Sequence, residues 1–206
     1  MEQRSEEWFQ ARCGSLGASK IGKALEMLKK SGEWNKDSVD FMFELAAERL
    51  TGPTKRVNTL QWGIDYEDEA RAAYALMTNA EVAKVGLIRH PTISYAHASP
   101  DALVGDDGGL EIKCPTPATH LKTLYYRVVP EENLPQMYWG MACSGRAWWD
   151  FVSYDPRFPP HLQLFIKRVE RDEQAIKTAE ANAIKWLADL DDKLKMVAAS
   201  YPAEAA

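Results

Sequence analysis

Apolar residues recur at three- or four-residue intervals near both ends of the chain, a pattern that is typical of amphipathic helices. The pattern predicts helices over about 19–29, 38–50, 59–77, 119–127, 134–143 and 172–197. Asp37 or Ser38 can cap the second of these helices, and Gly52 with Pro53 ends it. The apolar face of the last helix includes Trp186, which we interpret as a core or subunit contact.

The middle of the chain instead contains short runs of β-branched, aromatic and alternating residues, which are typical of strands. These runs predict strands over 82–89, 93–98, 102–104, 110–114, 146–154 and 162–169. Pro115 and Pro117 end the fourth strand, because proline cannot continue a hydrogen-bonded ladder. Helices at both ends with strands between them predict an α/β domain.

A turn sequence lies between the third and fourth predicted strands. Residues 106–109 are Asp-Asp-Gly-Gly, which is the composition of a tight hairpin turn. The fourth strand should therefore fold back beside the strand that begins near Asp101. Because side chains alternate along a strand, Glu111 and Lys113 should share one face. The alternate positions should face a core: Leu110, Ile112 and Cys114.

Asp101, Glu111 and Lys113 then converge on one candidate site. Carboxylates are the hard oxygen ligands that Mg²⁺ prefers, and a lysine beside a bound metal can orient or deprotonate an attacking water. The same residues also have a structural interpretation, since strands often carry Glu-x-Lys as a plain ion pair and Pro-Asp often opens a turn. On these residues alone, the structural interpretation is the commoner one.

Composition limits the kinds of protein that this chain can be. Its 206 residues, 46% hydrophobic and 27% charged, suit a single domain over 1–206. We expect neither secretion nor a membrane span, because the first residues are polar and no long apolar segment follows. The three cysteines, Cys13, Cys114 and Cys143, lack paired or zinc-type spacing, which favours packing roles in a reducing cytosol. The net charge of −5 argues against a broad basic DNA groove, but not against a local contact through a few cations and metal.

Further polar residues each have two interpretations. Glu67 is either a solvated helix residue or a third carboxylate that positions a metal-bound water or holds the Lys113 ammonium. Arg12 is either a surface cation on a short helix or, with the Ser19 hydroxyl, part of a pocket for a terminal phosphate. Gln136 either faces solvent or faces the lysine, where its amide could bind a phosphate or water.

Taken together, these motifs resemble one family: the phage lambda exonuclease group, also described as YqaJ-type viral recombinases or alkaline exonucleases, among the PD-(D/E)xK nucleases. The matching residues span nearly the full chain in order: Trp8 with Arg12, Ala18-Ser19, Trp62-Gly63, Tyr66-Glu67, Ser99-Pro100-Asp101, 109–115, Gln136 and Tyr154-Asp155-Pro156-Arg157. Several short motifs in the same order are far more specific than one, so the metal-site interpretation becomes the preferred one.

The resemblance implies a restriction-endonuclease-like fold, with a mixed central β-sheet flanked by helices. It implies Mg²⁺-dependent 5′→3′ digestion of one strand of linear double-stranded DNA to mononucleotides, with two Mg²⁺ ions per site and Mn²⁺ as a substitute. It further implies a ring-shaped homotrimer around DNA and a single-strand annealing protein as partner in homologous recombination. The expected compartment is the cytoplasm of a bacterial host, for a protein encoded by a phage or prophage.

The resemblance also assigns a role to each residue of the candidate metal site. Carried over by position, Asp101 and Glu111 would bind Mg²⁺, helped by the Ile112 carbonyl. Lys113 would activate the attacking water. In such a site, water attacks in line at the scissile phosphorus while the metal ions stabilise the attacking and leaving oxygens.

The remaining positions supply support and end recognition. Glu67 and Gln136 would support the catalytic lysine, and Arg12 with Ser19 would hold the 5′-phosphate. The chain departs from the family at Tyr138, where a second glutamine often stands, which puts the support role of that helix in question.

Two rival functions keep the same fold. A structure-specific or restriction-type endonuclease would need the metal site but no pocket for a terminal phosphate. A noncatalytic DNA-binding subunit would need neither, and the intact set of Asp101, Glu111 and Lys113 argues against it.

Overall fold

The computed structural model describes residues 2–53 and 61–201, and for residues 61–64 it describes the backbone alone. The helices in this part of the chain are α1 (Glu6–Arg12), α2 (Ile21–Ala24), α3 (Lys36–Thr51), α4 (Gln61–Thr78), α5 (Pro117–Tyr126), α6 (Leu134–Ser144) and α7 (Glu173–Ser200). The strands are β1 (Leu16–Gly17), β2 (Val82–Ala83), β3 (Ile88–Arg89), β4 (Ala96–Ala98), β5 (Ala102–Val104), β6 (Gly108–Lys113), β7 (Trp148–Tyr154) and β8 (Leu164–Glu170). The α/β class expected from the sequence is confirmed.

A five-stranded sheet in the order β2-β5-β6-β7-β8 forms the centre of the described fold. β6 and β7 pair in parallel and the other neighbours pair antiparallel, so the sheet is mixed, as expected. A parallel pair needs a long crossover, and α5 and α6 supply it between β6 and β7. A second sheet, in the order β1-β4-β3, brings the N-terminal segment beside the strand that leads to Asp101.

Helices cover both faces of the central sheet, because side chains alternate along its strands. On one face, Leu110 and Ile112 of β6 pack with Tyr74 of α4. On the other face, residues of β7 pack with residues of α6 and α7: Trp149, Phe151, Met137, Met141, Ala142 and Ile176. Glu111 pairs in register with Phe151, so Glu111 leaves β6 on the α6 side.

The predicted hairpin is confirmed, although its turn differs in detail. β5 and β6 pair antiparallel around a turn at 105–107, where Gly105 has a φ of 49°, a conformation that glycine favours. Gly108 and Gly109, which the sequence placed in the turn, lie in β6. A Cβ on either glycine would overlap the indole of a tryptophan on the neighbouring β7. These glycines therefore make room for the two tryptophans of β7.

The predicted helix over 19–29 is wrong in its second half, because α2 ends at Ala24. The Ala24 carbonyl accepts a hydrogen bond of 2.5 Å from the Ser38 hydroxyl. The Leu28 amide, which would bond that carbonyl in a continuing helix, instead donates to the Glu33 carbonyl at 2.8 Å. The backbone carbonyl and amide that a longer helix would have paired with each other thus form hydrogen bonds with other residues.

The predicted strand over 82–89 is two strands in different sheets. β2 pairs with β5 in the central sheet, whereas β3 pairs with β4 in the second sheet. The Gln3 side chain donates to the carbonyls of Val85 and Pro100, both at 2.8 Å, where the chain passes between the sheets. The predicted strand over 93–98 is likewise shorter and begins at Ala96.

Most other predicted elements are confirmed within a few residues, but the cap of α3 was wrong. Asn35 caps α3 by accepting a hydrogen bond from the Ser38 amide at 2.8 Å. The Ser38 side chain instead lies in the core, where its hydroxyl accepts a hydrogen bond of 2.9 Å from Trp186 Nε1. Trp186 is fully buried, which agrees with its interpretation as a core residue. The predicted start of the third helix, at 59–60, lies outside the described residues.

Within the described ranges, none of the helices has the length and apolar character that a membrane span requires. All three cysteines are free thiols, and Cys143 is buried, in line with packing roles.

Candidate active site

The hairpin places Asp101 and Glu111 side by side. Asp101 lies directly before β5, and its Oδ2 accepts a hydrogen bond from the Ile112 amide at 2.6 Å, which holds the side chain against β6. Lys113 Nζ lies 2.5 Å from Glu111 Oε1. The structure therefore brings together the three residues expected to converge, and their roles with metal stay predictions.

Burial and mutual repulsion control the charges of this group. Burial raises the pKa of Asp101 well above its ordinary value, and the charges of Glu111 and Glu67 raise it further. Burial also raises the pKa of Glu111, although the neighbouring Lys113 ammonium opposes that rise. Burial lowers the pKa of Lys113, but the surrounding carboxylates outweigh burial and raise it above its ordinary value. If Asp101 and Glu111 are both ionised, Lys113 neutralises only one of their two negative charges.

Glu67 lies beside the pair on α4 and is held by two arginines. Its Oε2 lies 2.8 Å from Arg4 Nη2, and its Oε1 lies 2.6 Å from Arg71 Nη2. Arg71 Nε also donates to the backbone carbonyl of Asp101 at 3.2 Å. As a third carboxylate, Glu67 was expected either to position a metal-bound water or to hold the Lys113 ammonium. Glu111, and not Glu67, contacts that ammonium. Arg71 ties Glu67 to the main chain of the candidate metal site.

Gln136 faces the lysine, as expected. It lies in the first turn of α6, and its Oε1 accepts a hydrogen bond from Lys113 Nζ at 3.4 Å. Tyr138 is half-buried and packs against the apolar cluster under the sheet. On α6, polar support for the lysine therefore comes from Gln136, while Tyr138 contributes packing.

The donor set fits Mg²⁺, although it is incomplete. Within residues 2–53 and 61–201, no three His, Cys, Asp or Glu side chains are grouped as a metal site. Mg²⁺ takes oxygen ligands and keeps several waters, so it needs few protein ligands. The carboxylates of Asp101 and Glu111 are close enough for one charge to raise the pKa of the other, and a divalent cation would offset that repulsion. We predict that these carboxylates and the Ile112 carbonyl would hold the metal.

A second site adjoins the first on the side of the N-terminal segment. Arg12, at the end of α1, and Ser19 line a single pocket of about 110 Å³. The Arg12 guanidinium lies 4.0 Å from the centre of the Trp8 ring, and its Nη1 donates to Ser99 Oγ at 2.7 Å. The structure thus brings Arg12 and Ser19 together as expected. Their role in binding a phosphate stays a prediction.

The motif at 154–157 supports the strand that carries the lysine. Arg157 donates from Nε and Nη2 to the two carboxylate oxygens of Asp155, both at 2.7 Å. These hydrogen bonds lower the pKa of the buried Asp155. Arg157 Nη2 also donates to the Pro115 carbonyl at 3.3 Å, two residues after Lys113. Trp62 and Gly63 belong to the segment whose side chains the structure does not describe.

Several residues that organise these sites were not predicted from the sequence. Ser99 was part of a motif but had no role, and His97 was not considered. Ser99 accepts a hydrogen bond from Arg12, and His97 lines the same pocket. Ser99 directly follows β4 and stands two residues after His97, and this spacing was a usable signal. Arg71 stands four residues after Glu67, the spacing of a helical ion pair. Arg4 offered no such signal, because it is 63 residues from Glu67 in sequence.

Comparison with known proteins agrees with the resemblance. The family model described as YqaJ-like viral recombinase domain matches residues 7–147. Two crystal structures of LHK-Exo, an alkaline exonuclease from Laribacter hongkongensis, one of them in complex with dAMP, are 41% identical to this chain. Each match covers 95% of this chain and 97% of LHK-Exo, with a TM-score of 0.88.

A more distant structure extends the fold comparison. The phage related exonuclease from Haemophilus somnus 129PT is 14% identical, and the match covers 87% of this chain and 96% of that one, with a TM-score of 0.64. At that identity it shows a shared fold alone. Among curated proteins, none matches this chain.

These matches cover the two sites described above. The region that matches the family model contains Arg12, Asp101, Glu111, Lys113 and Gln136. The match to LHK-Exo confirms the restriction-endonuclease-like fold that the resemblance implied. The chain belongs to the YqaJ-like viral recombinase family.

Proposed function

We propose that this protein is a Mg²⁺-dependent exonuclease that digests one strand of linear double-stranded DNA from its 5′ end. Its family and its similarity to an alkaline exonuclease support a nuclease that acts on DNA. The products would be mononucleotides. The complex of LHK-Exo with dAMP, a deoxynucleoside monophosphate, is in keeping with such a product.

The observation that carries this proposal is the spacing between the two sites. Ser99 contacts the Arg12 guanidinium, and Asp101 of the candidate metal site lies two residues further along the chain. Two residues of chain span at most about 7 Å, a length comparable to the distance between successive phosphates of one strand. A terminal phosphate held by Arg12 would therefore place the next phosphodiester near Asp101 and Glu111.

The residues of the two sites would divide the work of hydrolysis. Mg²⁺, when bound, would supply positive charge that stabilises the charge developing at the scissile phosphate. Lys113 would orient and activate the attacking water, and the Gln136 amide would fix the position of Lys113 Nζ. Glu111 lies against the lysine, and Glu67 is held beside the site by Arg4 and Arg71. Arg12 and Ser19 would select the end by binding its 5′-phosphate.

The wider setting of this activity is part of the same proposal. We expect one nuclease domain over 1–206, a homotrimer that encloses DNA, and a single-strand annealing protein that receives the remaining strand for recombination. The net charge of −5 favours enclosure over a basic groove as the means of staying on DNA, and a ring closes its own interfaces. Mn²⁺ is expected to substitute for Mg²⁺.

One assay separates this function from its rivals. Linear and closed circular duplexes are incubated with and without Mg²⁺, and the linear duplexes carry either a 5′-phosphate or a 5′-hydroxyl. We expect Mg²⁺-dependent release of mononucleotides from linear DNA alone, faster from the phosphorylated end. Cleavage of the circle would indicate an endonuclease, and absence of turnover with Mg²⁺ or Mn²⁺ would indicate a noncatalytic subunit. A duplex labelled at either the 5′ or the 3′ end of one strand gives the direction.

A further inference from the structure

A buried histidine lies under the pocket that contains Arg12 and Ser19. His97 belongs to β4, has 2% of its surface exposed, and lines the pocket. Its Nδ1 forms a hydrogen bond of 2.8 Å with the Ser15 hydroxyl. Its Nε2 is buried and has no hydrogen-bond partner in the part of the chain that the structure describes. A buried polar atom without a partner is unfavourable, and such atoms often mark a place where a ligand binds.

Residue 17 determines how much space remains beside Nε2. A Cβ on Gly17 would lie 2.9 Å from His97 Nε2 and 3.7 Å from Arg12 Nη2. The two nitrogens therefore border the same small space, and the absence of a side chain at Gly17 keeps that space open. Gly17 has a φ of −91°, which any residue can adopt, so backbone conformation does not require glycine here.

The histidine is suited to donate a hydrogen bond without adding charge. Burial, with the nearby charges of Arg12 and Arg89, lowers the pKa of His97 to about 3, so the ring is neutral at physiological pH. A neutral imidazole carries one N–H. When the Ser15 hydroxyl donates to Nδ1, the proton of the ring lies on Nε2 and points at the pocket.

The other groups around this space identify the class of ligand. Arg12 supplies positive charge and Ser19 supplies a hydroxyl, so the pocket favours an anion with several oxygens. The pocket also contains Glu48, whose carboxylate accepts a hydrogen bond of 3.0 Å from the Gly14 amide. A terminal phosphate presents three strong acceptor oxygens, whereas a phosphodiester within the strand has only two free oxygens. A third donor would therefore favour an end over an internal position.

We propose that His97 is a phosphate-binding residue of this pocket, which donates from Nε2 to an oxygen of the terminal 5′-phosphate beside Arg12 and Ser19. This inference rests on the proposed function, since it assumes that the pocket receives the end of a DNA strand. In this arrangement Ser15 is a positioning residue, because it sets which nitrogen of His97 carries the proton.

The test measures the initial rate of release of the first nucleotide from two duplexes that differ only in the 5′-phosphate. The ratio of the two rates does not depend on how much of the protein is folded. We expect His97→Phe, which keeps a ring but removes the donor, to lower the ratio about tenfold or more. His97→Gln, which keeps a donor near the position of Nε2, should retain most of the ratio. His90→Phe, at a buried histidine outside the pocket, should leave it unchanged.

Gly17→Ala provides a second route that leaves the histidine in place. The added Cβ would cover Nε2 and should lower the ratio in the native background. If it acts through His97, it should have little further effect in the His97→Phe background, as a double-mutant cycle would measure. If His97→Phe fails to fold, Gly17→Ala alone still tests whether His97 Nε2 contributes to the preference for a 5′-phosphate.

The outcomes separate the inference from the function on which it rests. If Arg12→Ala lowers the ratio but His97→Phe and Gly17→Ala keep the native value, the role of His97 is wrong and the end pocket stands. If the native protein digests linear DNA but does not distinguish the two duplexes, the assignment of this pocket to a terminal phosphate is wrong. If there is no Mg²⁺-dependent digestion of DNA, the proposed function itself is wrong.

Discussion

Two buried acidic groups on neighbouring strands of the central sheet have opposite surroundings. Asp150 of β7 is 2% exposed, and Arg168 donates to both of its carboxylate oxygens at 2.9 Å. The Tyr74 hydroxyl donates to the same carboxylate at 2.7 Å. Glu111 of β6 is 3% exposed, but it shares the Lys113 ammonium with a second carboxylate, that of Asp101.

The comparison shows how one sheet can use a buried carboxylate in two ways. At Asp150 the donors match the acceptors, so the group is complete and binds the sheet to α4. At Asp101 and Glu111, burial raises the pKa of both carboxylates, the charge of Glu67 raises it further, and a single ammonium, that of Lys113, opposes the rise. A charge excess of this kind is unfavourable for the empty site and favourable for binding a divalent cation. Incomplete neutralisation therefore distinguishes the candidate catalytic group from the structural one.

The largest expected difference between the two groups is in turnover. Asp101→Ala, Glu111→Ala and Lys113→Ala should each lower the rate of mononucleotide release by at least about 10³-fold, since each removes a metal ligand or the group that activates water. Asp150→Asn, an acidic residue changed on the adjacent strand, is the control and should keep most of the activity. Near-native turnover of Lys113→Ala at saturating Mg²⁺ would show that its assigned role is wrong.

The next largest effect is on stability. Here the change at Asp150 should be more harmful than the change at Asp101, the reverse of the order expected for activity. Asp150→Asn should lower the free energy of unfolding by about 1.5–3 kcal/mol, because it weakens hydrogen bonds to Arg168 and to the buried Tyr74 hydroxyl. Asp101→Asn in metal-free buffer should leave stability unchanged or raise it, because it relieves repulsion. Urea unfolding of both variants with excess chelator measures the difference. Equal losses would mean that the two groups are equally structural.

A bound divalent metal should neutralise Asp101 and Glu111, as Arg168 already neutralises Asp150. Mg²⁺ at 10–100 times its dissociation constant should stabilise the native protein by about 1–3 kcal/mol, since it binds the folded site. Asp101→Asn should lose most of that stabilisation, whereas Asp150→Asn should keep it. Ca²⁺ should raise Tm in the same way without supporting turnover, because it accepts looser coordination. Thermal unfolding with each ion is the measurement, and equal responses of both variants would place the metal elsewhere.

The smallest effect concerns acid stability. Hydrogen bonds from Arg157 lower the folded-state pKa of Asp155, so this residue stabilises the fold above its unfolded pKa of about 3.9. That contribution is lost as the pH falls from this value through the folded pKa. Asp155→Asn should therefore flatten the fall in stability over the same acidic range, as urea midpoints measured from pH 6 to about pH 2 would show. An unchanged slope would mean that the pair with Arg157, which is 43% exposed, contributes nothing measurable.

The local part of the site could be predicted from the sequence, and its environment could not. Alternation along one strand and one hairpin turn were enough to place Asp101, Glu111 and Lys113 together, because those contacts span few residues. The arginine partners of Glu67 and the unpartnered Nε2 of His97 depend on packing between distant segments. Periodicity in one segment carries no information about such packing.

The same distinction explains the errors in the fold. The helix predicted over 19–29 stops early because Ser38 takes the Ala24 carbonyl, a choice made by tertiary structure. The strand predicted over 82–89 has a suitable pattern throughout, yet its two halves join different sheets. Propensity and pattern established which kinds of element occur, and tertiary contacts decided where they end.

The two hydrogen bonds that fix the candidate sites close chain segments of very different length. The bond between Asp101 and the Ile112 amide spans 11 residues, whereas the bond between Arg12 and Ser99 spans 87. Closing a longer segment costs more chain entropy, so the hairpin should form early in folding and the N-terminal segment should dock late. The same order in reverse would govern local opening of the native protein. A molecule whose N-terminal segment has undocked would keep its hairpin and lose its choice of DNA end, so partial unfolding would impair selectivity before chemistry.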